Sequence, residues 1–167
     1  MTQAVEKSLQ EELQQRKPFS GPQHEAQLSI IRTGSILLNA FEQMLKPYGI
    51  TATQFNVLRI LRGADPDGLC RNEIRCRMLT RMPDVTRLLD RMVEAGFVSR
   101  DRLSEDRRMV RTKITARGYR LLDELEPKAR VEQQRPFSHL SVEELHVLID
   151  LLARIRHTIP ESDSNCS

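Results

Sequence analysis

Arg87 and Arg91 stand four residues apart in a segment whose apolar residues, Val85, Leu88, Leu89, Met92 and Val93, recur at i, i+3, i+4, i+7 and i+8. That spacing gathers the apolar side chains on one face of a helix and puts Thr86, Arg87, Asp90 and Arg91 on the other. A guanidinium is a planar fork of donors. Held rigidly on a helix, it can grip O6 and N7 of a guanine with two parallel bonds, discriminating that base by roughly 1–3 kcal/mol. Shortly after this helix come two β-prone runs, Phe97 to Arg102 and Met109 to Ile114, separated by the polar stretch Ser104-Glu105-Asp106-Arg107-Arg108. They predict a hairpin whose tip carries Arg107 and Arg108, where arginine can enter a narrow minor groove.

The distribution of charge agrees with this chemistry. The formal net charge of the 167 residues is only +3, too little by itself to imply a polyanionic partner. Between Arg71 and Lys113, however, twelve basic residues face seven acidic ones, a local +5 that leaves −2 for the rest of the chain. Other chemistries find no support. The four histidines show no metal-ligand spacing, and no Gly-rich phosphate loop, nucleophile elbow or paired carboxylates appear, so neither metal nor cofactor nor catalytic residue is expected, and the chain is not read as an enzyme. Cys70, Cys76 and Cys166 read as reduced thiols, with Cys76 in the core; Cys70, beside Arg71 at a helix start, is a candidate redox thiol. No apolar run approaches a membrane span, and the first residues lack a signal peptide, so the expected location is the cytoplasm with no membrane partner.

The surrounding elements must hold the arginines in place. Residues 1–22 are polar and end in a Pro- and Gly-containing stretch, which predicts a flexible arm. Apolar residues from Leu28 to Leu45 form a broad helical stripe over Gln23 to Lys46. Thr51-x-x-Gln54 is a capping box opening a second helix with Phe55, Leu58 and Leu61 inward. A third helix is expected from Arg71 to Leu79, and a fourth with Pro83 in its first turn and Gly96 as its left-handed stop. After the hairpin a helical run from Thr115 to Val131 meets Pro127, which should kink or end it. Ser141-x-x-Glu144 caps a last helix, and the residues beyond Pro160 are expected to be disordered. The predicted division is an arm over 1–22, an N-terminal dimerisation helix over 23–48, a DNA-binding domain over 49–114, C-terminal dimerisation helices over 115–158 and a tail over 159–167. Two short helices, a tight turn, an amphipathic helix and a basic hairpin compose a winged helix-turn-helix: a mainly α fold with a small β-hairpin wing, flanked by dimerisation helices.

The run from Val85 to Val98, together with Arg100-x5-Asp106-x-Arg108 and Ile114-Thr115-x-x-Gly118, resembles the MarR family of bacterial transcriptional regulators over about Gln23 to Arg156. The resemblance implies that Thr86, Arg87 and Arg91 meet the major groove or phosphates, and that Arg108 meets the minor groove, positioned by Asp106. The candidate DNA-contacting set also takes in Arg107 and, at the entry to the reading helix, Arg81, Pro83 and Asp84. Arg100 and Asp106 are read as wing support, with Arg100, Arg102 and Arg111 pairing with Asp101, Glu105 or Asp106 inside the hairpin. Two positions depart from the family pattern: Arg75, where a small residue is usual, and Cys70, where a serine or threonine cap is usual. The resemblance further implies a homodimer and a small aromatic effector, for which Phe41, Met44, Tyr48 and Phe55 are candidate pocket residues.

The function expected is thus a sequence-specific double-stranded DNA-binding transcriptional regulator, a ligand-responsive repressor binding a pseudo-palindromic operator as a dimer. The competing readings are a helical protein-interaction module and a thiol-based redox-sensing regulator. A single-strand RNA reader would need stacking aromatics, and the basic segment holds only Phe97, which reads as core.

Overall fold

In a computed structural model the described residues are 8–80, 83–102 and 110–159. The chain divides into two units, one up to Ala40 and one from Phe41 onward. In the first, Ser8 caps a short helix α1, Leu9–Glu12: its backbone N–H donates to the Glu11 carboxylate at 2.8 Å, and its hydroxyl accepts from Glu11 N–H. The expected arm therefore contains a helical turn, and Ser8-x-x-Glu11 is the same capping box that signals helices elsewhere in this chain. Helix α2, Pro22–Leu45, opens on a proline, a residue already bent to helical φ and without an N–H to leave unpaired. Within this first unit Ile30, Ile31, Ile36 and Leu38 are exposed.

The second unit carries the core. The last residues of α2 lead through a 3-10 turn, Lys46–Tyr48, into α3, Ala52–Arg62, where Thr51 and Gln54 form the expected box and Phe55, Leu58 and Leu61 are buried. A two-residue strand β1, Leu69–Cys70, leads directly into α4, Arg71–Arg77. Next come α5, Val85–Glu94, then β2, Val98–Arg102, and β3, Val110–Ile114, followed by α6, Ala116–Gln134, and α7, Val142–Thr158. The three strands pair antiparallel in the order β1-β3-β2, with Val98 opposite Ile114, Arg102 opposite Val110, and Leu69 opposite Thr112. The hairpin is thus the wing read from sequence, widened by a third strand. Two residues are too few to show a period-two pattern, which is why β1 is silent in the sequence.

Leu58, Leu61, Ile74, Leu89, Met92, Val98, Leu122 and Leu125 share one buried cluster, so α3, α4, α5, α6 and the sheet are held by a common core. Two corrections follow from burial. Val93, expected in the buried face of α5, is 37% exposed. Pro127 does not end its helix, because α6 continues to Gln134. The proline is on the exposed side, where water can serve the carbonyl left without an N–H, while buried Leu122, Leu125 and Ala129 anchor the helix on both sides of it.

The junction between α5 and α6 explains the Ile114-Thr115-x-x-Gly118 motif. Gly96, at φ 72°, turns the chain out of α5; its N–H reaches Val93 O and Phe97 N–H reaches Met92 O at 3.0 Å. Thr115 Oγ1 then donates to Gly96 O at 2.7 Å and accepts from Gly118 N–H at 3.1 Å, so one hydroxyl joins the stop of the reading helix to the start of α6. Gly118 must lack a side chain, since a Cβ there would lie 2.3 Å from Phe97 O.

Candidate nucleic-acid interface

Helix α5 is two-faced, as its sequence demands. Val85, Leu88, Leu89 and Met92 are buried, while Thr86, Arg87 and Arg91 are exposed. Its start is fixed by Asp84, whose Oδ1 accepts from Arg87 N–H at 2.9 Å. A side-chain acceptor here satisfies a backbone donor that the first helical turn leaves open. Pro83 therefore precedes the cap rather than sitting in the first turn, and the Asp84 carboxylate, a candidate DNA contact, is engaged as the cap. Arg91 folds back along the helix, its Nε donating to Arg87 O at 3.4 Å.

Neighbouring elements brace this exposed face. From the start of α4, Arg71 Nη1 donates to Thr86 Oγ1 at 3.3 Å. From the wing strand β2, Arg100 Nη1 lies 2.5 Å from Asp90 Oδ1, and Nη2 donates to Thr86 O at 3.4 Å. Arg100 thus ties the wing to the reading helix, and among the described residues it makes no pair within the hairpin. Asp101 faces Lys113 at 3.8 Å, and Arg111 donates to Gly68 O at 2.9 Å, which joins β3 to the turn before β1. Beneath, Asn56 Oδ1 on α3 accepts from Leu79 N–H at 3.1 Å, pinning the segment that follows α4. Arg71, Asp90 and Asn56 were not singled out as site residues. An asparagine within an otherwise strong helix was the available hint for Asn56, because the residue is a poor helix former. Arg81, Asp106, Arg107 and Arg108 lie outside the described residues.

Between the start of α4, the outer side of α5 and the wing is a hollow of about 390 Å³ lined by residues that include Cys70, Arg71, Thr86, Leu89, Arg100 and Thr112. Cys70 occupies the N-cap of α4, and its backbone N–H donates to Glu73 Oε2 at 2.6 Å. That bond holds the Glu73 carboxyl below its ordinary pKa. The helix is thereby capped through the glutamate in spite of the cysteine. Cys70 carries a free thiol and is half-buried. Cys76 is exposed, which corrects its reading as a core residue. Phe97 is buried beneath the Arg117 guanidinium, so it offers no stacking platform.

Of the four candidate effector residues, Phe55 is 3% exposed and meets Phe41 edge to face, ring centroids 5.4 Å apart, while Met44 and Tyr48 are packed against the same core. The Tyr48 hydroxyl accepts from Lys128 Nζ on α6. The hollow beside α5 is lined by none of the four. Among the described residues no cluster of histidine, cysteine and carboxylate side chains could hold a metal ion, and no helix is long and apolar enough to cross a membrane.

A helix locked by one apolar face, presenting threonine and arginines on the other and braced by an antiparallel wing, defines a winged-helix DNA-binding protein. The chain belongs to the MarR family of transcriptional regulators, whose family model matches residues 50–110. A MarR transcription factor from Planctomyces limnophilus is 36% identical, with a TM-score of 0.63 over 81% of this chain and 98% of that one. A mutant form of MarR from E. coli, complexed with operator DNA, is 27% identical, with a TM-score of 0.68 over 75% of this chain and 89% of that one. In the S. aureus MepR–DNA complex, 23% identical, the fold matches at a TM-score of 0.74 over 80% of this chain and 97% of that one. These homologues are transcription regulators.

Proposed function

We propose that the protein is a ligand-responsive repressor that binds a pseudo-palindromic operator as a homodimer, reading bases with Thr86, Arg87 and Arg91 of α5 and reaching the flanking minor groove with Arg107 and Arg108. The observation that carries the reading is the two-faced α5, whose Thr86 is held by Arg71 from α4 and whose Asp90 is held by Arg100 from the wing. Rigid placement of this kind is what direct readout requires, since a base contact discriminates only when its donor cannot relax toward the wrong base. The complex of the E. coli relative with operator DNA supports the reading as a DNA binder.

A dimer is supported by apolar surface that one chain leaves uncovered. On α7, Val147, Ile149, Leu151 and Ile155 are exposed, and no residue of this helix is buried. Two-fold pairing would cover such a face and set two reading helices about one turn of DNA apart, roughly 10 base pairs. Occupying an operator excludes polymerase, and the place of action is the cytoplasm. An effector would act by changing the spacing of the reading helices, and reciprocity then requires DNA to weaken effector binding by the factor by which effector weakens DNA binding.

The test is selection of duplexes from a random pool, then fluorescence anisotropy on the selected and a random duplex, with light scattering for mass. Selected sites with an internal two-fold pattern and a dimeric mass are the expected result. A monomer at micromolar concentration, or no enrichment of any sequence, overturns the proposal.

A further inference from the structure

Thr86 is held by arginines from two sides, and the two bonds differ in kind. Arg100 Nη2 donates to its backbone carbonyl, whereas Arg71 Nη1 donates to its side-chain hydroxyl at 3.3 Å. A guanidinium has donors only, while a hydroxyl has one proton and two lone pairs. The bond to Arg71 therefore consumes a lone pair and leaves the proton uncommitted. Among the described residues the Thr86 hydroxyl makes no other hydrogen bond. Thr86 is the second residue of α5, so no preceding helical turn of α5 offers a carbonyl to take the proton. The side chain is exposed, on the same outer face as Arg87.

We infer that Arg71 is a specificity-determining residue that acts through Thr86, orienting its hydroxyl as a donor toward an acceptor on a base edge; the inference rests on the reading of α5 as the DNA-reading helix. Two physical effects point the same way. The positive charge beside Oγ1 polarises the O–H bond and makes it a better donor. The same charge disfavours an amino group on the facing base. In the major groove guanine presents O6 and N7, thymine O4, and adenine N7 beside an amino group, while cytosine presents a donor amino group and no acceptor. The base facing Thr86 in each half-site is therefore selected against cytosine. Arg71 reaches α5 from another helix, so it touches no base in this scheme and still changes which base is accepted.

The experiment uses the full chain and the duplex selected from a random pool, with every single-base variant of one half-site. Wild type, Thr86→Val, Arg71→Ala, Arg71→Lys and the double variant R71A/T86V are compared by anisotropy. T86V and R71A should lose discrimination against cytosine at the same base position by about two- to tenfold, the range of one hydrogen bond. The double variant should be no worse than T86V alone, and R71K, which still offers a donor to Oγ1, should keep most of the preference. Both residues are exposed, and an unchanged melting temperature shows that the fold is intact. A uniform loss for R71A on all duplexes, random ones included, makes Arg71 a phosphate contact and overturns the inference while DNA reading stands. So does a change at a base position different from that of T86V. If wild type enriches no sequence at all, the reading of α5 fails, and the inference with it.

Discussion

The guanidinium of Arg100, on the wing strand, is hydrogen-bonded to the carboxylate of Asp90 on the reading helix, so this side chain ties the wing to the outer face of α5. The two side chains are partly solvated, and such pairs contribute about 0–1 kcal/mol to stability. Their importance lies in geometry. Asp90→Ala and Arg100→Ala should each weaken operator binding several-fold while shifting the melting temperature of a chain this size by no more than about 4 °C. The exchanged pair Asp90→Arg with Arg100→Asp should recover part of the affinity. Anisotropy and calorimetry on the four proteins check this, and no recovery in the exchanged pair would mean that one of the residues acts on DNA directly.

Arg87 and the residues at the wing tip should leave different traces in affinity. Arg87→Ala should cost roughly 1–3 kcal/mol on the selected operator and much less on random duplex, because a bidentate base contact is lost only where the right base is present. Arg108→Ala should weaken both duplexes and flatten the slope of log affinity against log salt by about one ion. The two titrations, repeated at several salt concentrations, separate the roles.

Gly118→Ala should be strongly destabilising for a change of one methyl group. The added Cβ would meet Phe97 O at 2.3 Å and Ile114 Cγ1 at 2.8 Å, and the first is backbone that cannot turn away. A loss of about 2–4 kcal/mol is expected from overpacking at the helix-to-wing junction, measured as a lower midpoint in urea with an unchanged slope.

Glu73 contributes a pH dependence whose sign follows from its bond to Cys70 N–H. Its folded pKa lies below the ordinary 4.5, so the stabilisation is fully present above that value and is lost as the pH falls through the lower, folded one. Wild type should lose more stability between about pH 5 and pH 3 than Glu73→Gln, which keeps a neutral cap acceptor. Glu144 is depressed for the same reason by Ser141, but it titrates equally in both proteins, so the difference isolates Glu73. Parallel stability curves would remove the capping role.

Ile149 is 59% exposed on α7, so Ile149→Glu has no core to disrupt in the single chain. The variant should keep its helical content by circular dichroism and lose dimeric mass by light scattering. Unaltered dimerisation would place the two-fold contact elsewhere.

Much of this architecture is legible in residue order because its signals are local. A face of Val85, Leu88, Leu89 and Met92 with a glycine at 96 can be little else than a capped amphipathic helix, and Thr51-x-x-Gln54 and Ser141-x-x-Glu144 mark two helix starts by hydrogen bonds that span three residues. The exposure of Thr86, Arg87 and Arg91 follows from the same period. What failed locally is also instructive. Val93 fits the apolar stripe yet is exposed, and Pro127 should break a helix that it does not, because packing partners and solvent access decide both and neither is written in the neighbouring residues.

The partners of the arginines belong wholly to the tertiary structure. Residue types and spacing determined that a basic hairpin follows an amphipathic helix and that the pair suits a nucleic-acid groove. They could not tell whether Arg100 would pair with Asp101, next to it in the chain, or with Asp90, ten residues back on another element; the packing of β2 against α5 chose Asp90. Nor could they show that Arg71, fifteen residues before Thr86, would reach its hydroxyl. Periodicity fixes which way a side chain points from its own helix, whereas the atom it meets depends on how that helix is docked, and docking is decided by the shared core of α3, α4, α5, α6 and the sheet.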